Sequence, residues 1–558
     1  MSMVWKKRRE FALLSAVFLL VAGCTNDKAD DATGELDPDN PITFSAFFAD
    51  PNPAWNKMED DVGQAITKRT GVKLNAEFAV GNPDEKIALI AASGDYPDLI
   101  SPKGAAELLV DSNAMVDLEP LIEKHAPNIK KMIGDDMGRL RYSNDDPSIY
   151  FIPTINTVEH TPFDAEGTFN LQHAVVKELG YPEIRTVKDF ENAIKKYMEK
   201  HPTINGQKTI GLSLLGDDWR FLISVSNPGF KTTGGSDDGE FYIDPQTYEA
   251  TLHYRRPEEK EYFRWLNHMN DIGLLDPESF VQSYDQYKSK IASGRVLALI
   301  DAQWQYQDGE KALKKAGKQE RTYGHYHVTL SEKYKDPAFQ DNGFLGGWGI
   351  GITKSCKDPV RAIKFLDWMA SEEGQILNYW GVEGKHYEYD EDGKRVIPKE
   401  VQERRNNDAA NFDRESGIGS YHISLRYGDG VKDSTDNYIT TKHPDQIVND
   451  YSDIEKEVLA AYGAKTWKDL FPQADEFPVK PWGAAWDISI PNESKLKVQE
   501  QRAKDIVYKR IPEAILADPD NFDKVWDQFM KDLDKIGVEE MEAEYTKLVK
   551  QRVKLWSE

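Results

Sequence analysis

The sequence predicts an α/β protein, because its ordered part opens with alternating strand and helix patterns. Residues 42–48 are rich in β-branched and aromatic residues, residues 72–78 alternate in polarity, and residues 96–100 return to a strand pattern. Residues 55–70 and 84–93, which lie between them, carry apolar side chains at helical spacing. The resulting order, βαβαβ, is the unit of a parallel sheet with helices packed on its faces.

The same alternation returns further along the chain. A helical stripe of apolar residues ends at Gly273, a second helix is predicted over residues 284–292, and the unbroken apolar run at residues 296–300 is typical of a strand buried on both faces. Asp358 and Pro359 supply an N-cap and a first helical residue for a further helix. The remainder, from about residue 400 onward, is charged and predicted to be mostly helical.

Cys24 follows the pattern of a secretory signal. Basic residues at positions 6–9 precede an apolar run at 11–21, and residues 21–24 read Val-Ala-Gly-Cys, which is similar to a bacterial lipobox. In such signals the cysteine becomes the mature N-terminus and carries lipid, such as palmitate. The apolar run is too short for roughly 30 Å of hydrocarbon, which disfavours the alternative of a spanning anchor. We predict a signal peptide over residues 1–23 and lipid anchoring at the extracytoplasmic face of the cell membrane.

Composition narrows the possible functions. Residues 24–41 have almost nothing to bury, so they are predicted to form a flexible tether. The second of the two cysteines, Cys356, has no partner once Cys24 is lipidated, and it is predicted to be a core residue. A formal net charge of −25 disfavours nucleic acid as a partner, and also a polybasic contact with anionic lipid. The supply of aromatic residues is large, with 13 Trp, 25 Tyr and 23 Phe.

Five stretches, together with the lipobox, carry a resemblance to a known family. They are TGVKLNAEFAVGNPDEKIALIAASGDYPDLI at 70–100, YFIP at 150–153, GLLDPESFVQSYDQYKSKIASGRVLALIDAQW at 273–304, GGWGIGITKSCKDPVRAIKFLDWMASEEGQ at 346–375 and WGVEGKHY at 380–387. In order and spacing they resemble the family 1 extracellular solute-binding lipoproteins of carbohydrate ABC importers, in particular the large subgroup from Gram-positive bacteria. The resemblance covers nearly the whole mature chain.

The resemblance implies a two-lobed fold of the type II periplasmic-binding-protein kind, with discontinuous lobes joined by a hinge. Lobe 1 would comprise residues 42–155 and 349–390, and lobe 2 residues 156–348 and 391–558. The ligand would bind in the cleft between them. The glycines at 343, 346, 347, 349 and 351 agree with a hinge, because glycine absorbs backbone rotation at low steric cost. A close-packed strand would explain the same glycines equally well.

A sugar has an apolar face and a rim of hydroxyl groups, so a receptor needs exposed aromatic rings and hydrogen-bonding groups. Alignment by motif with the family places six candidates at the cleft rim: Trp304, Trp219, Trp348, Trp55, Lys103 and Glu159. Trp304 and Trp219 stand where relatives carry stacking aromatics. For each tryptophan the alternative is ordinary core packing, and for Lys103 and Glu159 it is a surface charge. Trp265 and Trp368 lie on helical stripes and are assigned to packing.

The predicted function is therefore capture of a carbohydrate, most simply an oligosaccharide, by a monomeric, non-enzymatic component of an ABC importer. The chain lacks a P-loop motif, so the permease and the ATPase would be separate chains. No cofactor or metal is predicted. Some relatives carry a calcium loop after the helix corresponding to residues 187–200, but HPTINGQKTIG has no carboxylate there. Two alternatives stay open: a secreted carbohydrate-active hydrolase with paired carboxyl groups, and an adhesive lipoprotein without a transport role.

Overall fold

The computed structural model describes residues 34–557 except 144, 156, 166, 345 and 347. Cys24 and the signal peptide lie outside the described residues. In chain order the strands are β1 Ile42–Phe48, β2 Val72–Phe78, β3 Leu99–Ser101, β4 Ile152–Pro153, β5 Thr157–Val158, β6 Gly167–Gln172, β7 Thr203–Ile204, β8 Gln207–Lys208, β9 Ile210–Ser213, β10 Phe241–Ile243, β11 Ala250–Leu252, β12 Val296–Ala302, β13 Tyr323–Tyr326, β14 Gly349–Ile352, β15 Glu388–Tyr389, β16 Arg395–Val396 and β17 Arg426–Tyr427.

Twenty α-helices connect and cover these strands in the described part of the chain. They are α1 Asp61–Thr70, α2 Pro83–Ser93, α3 Ala106–Asp111, α4 Glu119–His125, α5 Pro127–Ile133, α6 His173–Glu178, α7 Val187–Lys200, α8 Asn227–Thr232, α9 Pro257–Asp271, α10 Tyr284–Ala292, α11 Gln303–Lys315, α12 Pro359–Ala370, α13 Glu372–Trp380, α14 Lys399–Asn407, α15 Ala409–Ser416, α16 Pro444–Asp450, α17 Asp453–Ala461, α18 Lys495–Leu516, α19 Phe522–Lys535 and α20 Val538–Ser557. Short 3-10 turns include Lys103–Ala105, Gly134–Leu140 and Ala485–Asp487, and a π-helical segment spans Leu222–Ser226.

The first sheet has the strand order β2-β1-β3-β14-β4, and β1 runs parallel to both β2 and β3. The predicted βαβαβ unit is confirmed. The helix predicted over residues 55–70 is wrong at its start, because α1 begins only after Asp60, whose side chain accepts a hydrogen bond from the Gly63 amide. Lys57 and Met58 have left-handed backbone and could not continue a helix. Cys356 lies in the core of this sheet, as predicted.

The second sheet has the strand order β13-β6-β12-β9, with β12 parallel to β9 and antiparallel to β6. The strand predicted at residues 296–300 is confirmed as the inner strand β12, and the predicted helices appear as α9, α10 and α12. The core of the second sheet is larger, because the C-terminal helices α18, α19 and α20 add apolar residues such as Phe529 and Val549 to it. Trp265 lies in this core, and Trp368 packs against the core of the first sheet, as predicted.

The division of the chain between two lobes stays a prediction at the residue level. Tyr421, Ile423 and Leu425, which the predicted boundary assigns to lobe 2, lie in the core of the first sheet. The strand that follows them, β17, pairs with β5. We therefore propose that the return of the chain to the first lobe extends to about residue 427.

The end of the predicted tether contacts the folded part of the chain. The Arg361 guanidinium donates hydrogen bonds to the carbonyl oxygens of Asp37 and Asn40, at 3.0 and 2.8 Å. Leu36 packs against the core of the first sheet, and Glu35 forms an ion pair with Lys364 at 2.5 Å. We propose that the folded part of the chain begins at about residue 35 rather than at residue 42.

Three of the proposed hinge glycines lie where backbones pack closely. A Cβ atom on Gly346 would lie 2.2 Å from the carbonyl oxygen of Arg139, and one on Gly349 would lie 2.0 Å from that of Ile152. On Gly351 it would meet the Met115 side chain at 2.3 Å. Gly343 alone among the described hinge glycines has left-handed backbone. Close approach of β14 to β4 is therefore one reason why glycine stands in this segment.

The loop that corresponds to the calcium loop of some relatives is a short hairpin. Strands β7 and β8 pair through a turn in which Asn205 and Gly206 both have positive φ, as a two-residue type I′ turn requires. Thr209 closes the hairpin by donating from its hydroxyl to the carbonyl of His201 at 2.6 Å. The described residues contain no cluster of three or more His, Cys, Asp or Glu that could hold a metal ion. None of the described helices is long and apolar enough to cross a membrane.

The packing of Trp467 predicts the effect of a substitution at Gly324. Trp467 is 1% exposed and stacks on His173 beneath β13. A Cβ atom on Gly324 would lie 2.4 Å from its ring. We expect Gly324→Ala to lower the free energy of unfolding by about 1–3 kcal/mol, because the core must shift to admit the methyl group.

Chemical denaturation of the wild-type protein and of Gly324→Ala measures the difference in their free energies of unfolding. Gly138→Ala is the matched control, since a Cβ atom there meets nothing within 4 Å and the residue has no left-handed backbone. Equal stability of the two variants would contradict the packing described for Trp467.

Candidate functional site

Four of the six candidates follow strands of the two sheets or lead into one. Lys103 comes after β3, and Trp304 comes directly after β12. Trp219 lies six residues beyond the end of β9, while Trp348 immediately precedes β14. Since β1 and β3 are parallel, as are β9 and β12, the carboxyl ends of each pair share one edge of their sheet. Ligands of open α/β sheets bind outside such carboxyl ends.

Trp219 and Trp304 are brought together by the pairing of β9 with β12. Their rings stack with centroids 5.9 Å apart and an interplanar angle of 16°, and their residues are 46% and 49% exposed. A sugar ring held between two indoles would need a separation of roughly 7–8 Å, twice a carbon contact distance of about 3.5–4.0 Å. At the observed separation the pair therefore presents its remaining faces and edges to solvent, and has no room for a sugar between the rings.

A buried carboxyl group fixes the turn that presents Trp304. Asp301 accepts hydrogen bonds from the Tyr287 hydroxyl at 2.9 Å and from the Gln305 side-chain amide at 2.7 Å. Burial raises the pKa of Asp301 to about 7, while these hydrogen bonds act in the opposite direction. Because Asp301 and Gln305 flank Trp304, their contact holds the start of α11 at the end of β12.

Trp219 is held by its neighbours in the chain. Asp218 has left-handed backbone and accepts a hydrogen bond from the Arg220 amide at 2.9 Å, and the two side chains also form an ion pair. The Arg220 guanidinium lies 4.9 Å from the Trp219 ring and 4.2 Å from that of Tyr284. The π-helical segment then follows, and its Ser224 donates to the Ile300 carbonyl of β12 at 2.8 Å. Single-turn π segments occur frequently at functional sites.

Trp348 belongs to a second aromatic pair, at the entry to β14. Its ring contacts that of Trp486 edge to face, with centroids 4.7 Å apart, and both residues are half-buried. The Lys103 ammonium lies 5.5 Å from the Trp348 ring and forms an ion pair with Asp50, which follows β1. Trp348 and Lys103 therefore lie together at the carboxyl edge of the first sheet.

Trp55 and Glu159 lie in different surroundings. Trp55 contacts the rings of Phe78 and Tyr421, with centroids 5.5 and 5.7 Å away, and packs against the core of the first sheet. Glu159 is exposed at the end of β5, and burial together with this carboxylate raises the pKa of Tyr427. A binding role for either residue stays a prediction.

Four residues that were not predicted from the sequence lie beside Trp219, Trp348 or Lys103. Arg220 and Tyr284 buttress Trp219, Trp486 contacts Trp348, and Asp50 pairs with Lys103. Their signal in the sequence was weak, because each is an ordinary residue in a loop or at a helix start. Only Arg220 and Asp50 had a local hint, namely adjacency to Trp219 and position after a predicted strand.

Comparison with known proteins identifies the family. Residues 61–382, more than half of the chain, match the family of bacterial extracellular solute-binding proteins. The chain belongs to this family. It is 21% identical over 399 residues to the lipoprotein LipO of Bacillus subtilis, which covers 69% of this chain and 74% of LipO. It is 22% identical over 303 residues to the fructooligosaccharide ABC transporter substrate-binding protein FusA of Streptococcus pneumoniae, covering 50% of this chain and 54% of FusA.

Solved structures of similar proteins show the same fold. FusA in complex with kestose superimposes with a TM-score of 0.63 at 18% identity, covering 91% of this chain and 99% of FusA. A human-milk-oligosaccharide (HMO) binding protein of Bifidobacterium longum infantis superimposes with a TM-score of 0.67 at 14% identity, covering 92% of this chain and 99% of that protein. The alginate-binding protein AlgQ2 superimposes with a TM-score of 0.63 at 18% identity, covering 92% of this chain and 98% of AlgQ2. These are two-domain solute-binding proteins, so the predicted fold class and family are confirmed. The family is extracellular, which agrees with the predicted extracytoplasmic location.

The exposure of the Trp219–Trp304 pair predicts its effect on stability. We expect Trp219→Ala or Trp304→Ala to lower the free energy of unfolding of the ligand-free protein by about 1 kcal/mol, since each loses one aromatic contact at the surface. Trp467→Ala, in the core, should cost about 3–5 kcal/mol. Either surface variant should also lose the exciton couplet of the stacked indoles, seen in the far-ultraviolet circular dichroism difference spectrum against the wild type, while the Trp348–Trp486 pair contributes equally to both. A large loss of stability with the couplet retained would contradict the stacking.

Proposed function

We propose that the protein is the substrate-binding lipoprotein of an ABC importer, which captures an oligosaccharide between its lobes and delivers it to a separate permease. The observation that carries the proposal is the stacked, half-exposed Trp219–Trp304 pair at the carboxyl edge of the second sheet. The relatives support it, because FusA is named as a fructooligosaccharide-binding component of an ABC transporter. Similar structures are named for binding human milk oligosaccharides, an N-glycan or alginate. In this proposal the protein has no catalytic activity.

The energetics of stacking are sufficient for such a role. Burying about 60 Å² of a sugar face against an indole contributes about 1.5 kcal/mol at about 25 cal/mol per Å². A micromolar complex requires about 8 kcal/mol. Two or three aromatic contacts and several hydrogen bonds to hydroxyl groups would supply it after the cost of ordering the ligand.

The proposed binding residues lie on both sides of the predicted cleft. Trp219 and Trp304 would contact the sugar from lobe 2, while Lys103 would donate to hydroxyl groups from lobe 1. Trp348 and Trp486 join the two sides, since Trp348 leads into the first sheet and Trp486 neighbours Ala485 in the second core. Rotation of the lobes would change this contact. Trp55 and Glu159 remain proposed as outer contacts.

Attachment to the membrane is proposed from the N-terminal signal sequence. We propose that lipid on Cys24 anchors a monomeric protein, and that the tether keeps its folded part close to the permease. LipO, a relative named as a lipoprotein, supports this proposal.

Binding and closure can be measured together. We expect fructo-, xylo-, malto- or human milk oligosaccharides, screened on the purified mature protein, to include one that raises the melting temperature and reduces the radius of gyration in small-angle scattering. A ligand that binds only the closed state stabilises it by mass action. Trp219→Ala and Trp304→Ala should each weaken that affinity about tenfold in calorimetry, and a Phe replacement should retain much of it.

Three outcomes would count against this proposal. Binding without compaction would contradict closure of the cleft. Release of reducing ends over time would favour a hydrolase. Unchanged affinity in both Ala variants, with unchanged melting temperatures, would remove the tryptophan pair from the site.

The lipid anchor is tested separately. We expect the native protein to partition into detergent and Cys24→Ser to release it from the membrane, because the substitution removes the acceptor of the lipid. Immunoblotting of membrane and soluble fractions measures this. Retention of the variant after the signal peptide has been cleaved would contradict lipid anchoring.

A further inference from the structure

The charges around the candidate aromatic rings bear on the chemical class of the ligand. Resting on the proposed function, we infer that the captured oligosaccharide is uncharged, and that glycans bearing uronate or sulfate groups are excluded. The relatives leave this choice open, since FusA was solved with kestose and AlgQ2 is named for binding alginate. Recognition of an anionic glycan needs cations that are free to pair with it, and the cations at these rings already have carboxylate partners.

Arg220 is the cation nearest to the tryptophan pair. Its guanidinium is held between the rings of Trp219 and Tyr284 and forms an ion pair with Asp218. The same carboxylate also accepts a hydrogen bond from the Arg220 backbone amide, in the turn that precedes the π-helical segment. The Asp218 carboxylate therefore pairs with the Arg220 guanidinium and also accepts the hydrogen bond of the Arg220 backbone amide, so neither group is left to bind an anionic ligand.

Lys288 lies on the other side of Tyr284. Its ammonium is 4.3 Å from the Tyr284 ring, 3.2 Å from a carboxylate oxygen of Asp285 and 3.9 Å from one of Asp308. Tyr284 thus lies between two cations, and each of them has a carboxylate partner. With exposed Asp217 added, the carboxylates of this edge outnumber its cations.

The edge of the first sheet repeats the arrangement. Lys103 lies over the Trp348 ring and is paired with Asp50. In the described part of the chain, the cations found over the candidate tryptophan rings are Arg220 and Lys103, and both are paired. A uronate approaching the Trp219–Trp304 pair would meet a local excess of negative charge, and one approaching Trp348 would meet a Lys103 whose charge is already paired. A neutral sugar would meet carboxylates that accept hydrogen bonds from its hydroxyl groups.

Arg426, in strand β17 beside the lobe boundary predicted after residue 155, is a cation held by neutral groups. It donates to the carbonyl oxygens of Thr154 and Ile155 at 2.8 and 3.1 Å, and to the Tyr379 hydroxyl at 3.3 Å. These contacts join β17 to the chain segment at the lobe boundary predicted after residue 155. Arg426 is therefore the residue to vary if an acidic glycan does bind.

The test compares matched neutral and acidic ligands on the purified mature protein. We expect a neutral oligosaccharide found in the screen to bind at least 100-fold more tightly than its derivative oxidised to a carboxylate at C6, and oligogalacturonate and oligomannuronate to give no measurable heat. Affinity for the neutral ligand should change less than twofold between low and high salt, since no ion pair with the ligand is formed.

Asp218→Asn releases Arg220 from its partner and should reduce the preference for the neutral ligand at least tenfold. Asp436→Asn is the matched control and should leave the preference unchanged. Both aspartates are ion-paired with left-handed backbone, which asparagine tolerates, but Asp436 pairs with Lys394 and Lys432.

The outcomes separate this inference from the proposed function. Uronate binding that equals or exceeds neutral binding would overturn the inference while leaving oligosaccharide capture intact, and its loss in Arg426→Gln would locate the acidic group near Arg426. An unchanged preference in Asp218→Asn would also overturn it. Binding of no glycan of either class would overturn the proposed function, and the inference with it.

Discussion

The parallel pairing of β9 with β12 is the constraint on which the candidate site depends. The register places Leu299 opposite Ser213, so both strands end at one edge of the second sheet. Trp219 lies in the segment that follows β9 and Trp304 in the segment that follows β12, and their rings stack at that edge. Ser224 ties the first segment to β12 through its hydrogen bond to the Ile300 carbonyl. Without this pairing, each indole would be an isolated apolar side chain in water.

Electrostatics at this edge follow from a general property of the chain. The chain has 95 Asp and Glu against 70 Lys and Arg, and Arg220 and Lys103, the cations found over candidate tryptophan rings, are ion-paired. Such pairs fix the geometry of the rings more than they add stability, because exposed ion pairs contribute little. Arg220 illustrates this, since its guanidinium contacts Trp219 and Tyr284 at once. The same pairs leave a surface better suited to hydroxyl groups than to anions.

The segment that enters β14 carries a different constraint. Gly346 lies against the carbonyl group of Arg139 and Gly349 against that of Ile152 in β4, so a side chain at either position would displace the neighbouring backbone. Trp348 stands between these glycines and contacts Trp486, the neighbour of Ala485 in the second core. Close backbone packing and the Trp348–Trp486 contact thus occur in the same few residues. In the proposed function, closure of the lobes would be transmitted through them.

Local patterns in the sequence predicted the α/β class and its main strands and helices, while the two-lobed fold and the family came from the longer motifs between residues 70 and 387. Apolar spacing identified β1, β12 and α10 because it reflects burial on one face or two, which each short segment records by itself. The start of α1 was missed because the turn at Lys57 and Met58 depends on left-handed backbone that no periodicity reveals. The family motifs predicted Trp219 and Trp304 separately as residues of the cleft rim, and did not predict that their rings contact each other.

Only the tertiary structure decided how these residues are combined. The stacking of Trp219 on Trp304, the placement of Arg220 against Tyr284 and the contact of Trp348 with Trp486 all join residues far apart in the chain. Such contacts depend on strand order and on the direction of each side chain at the end of its strand. Sequence spacing carries no record of either, because many strand orders satisfy the same alternation of apolar and polar residues.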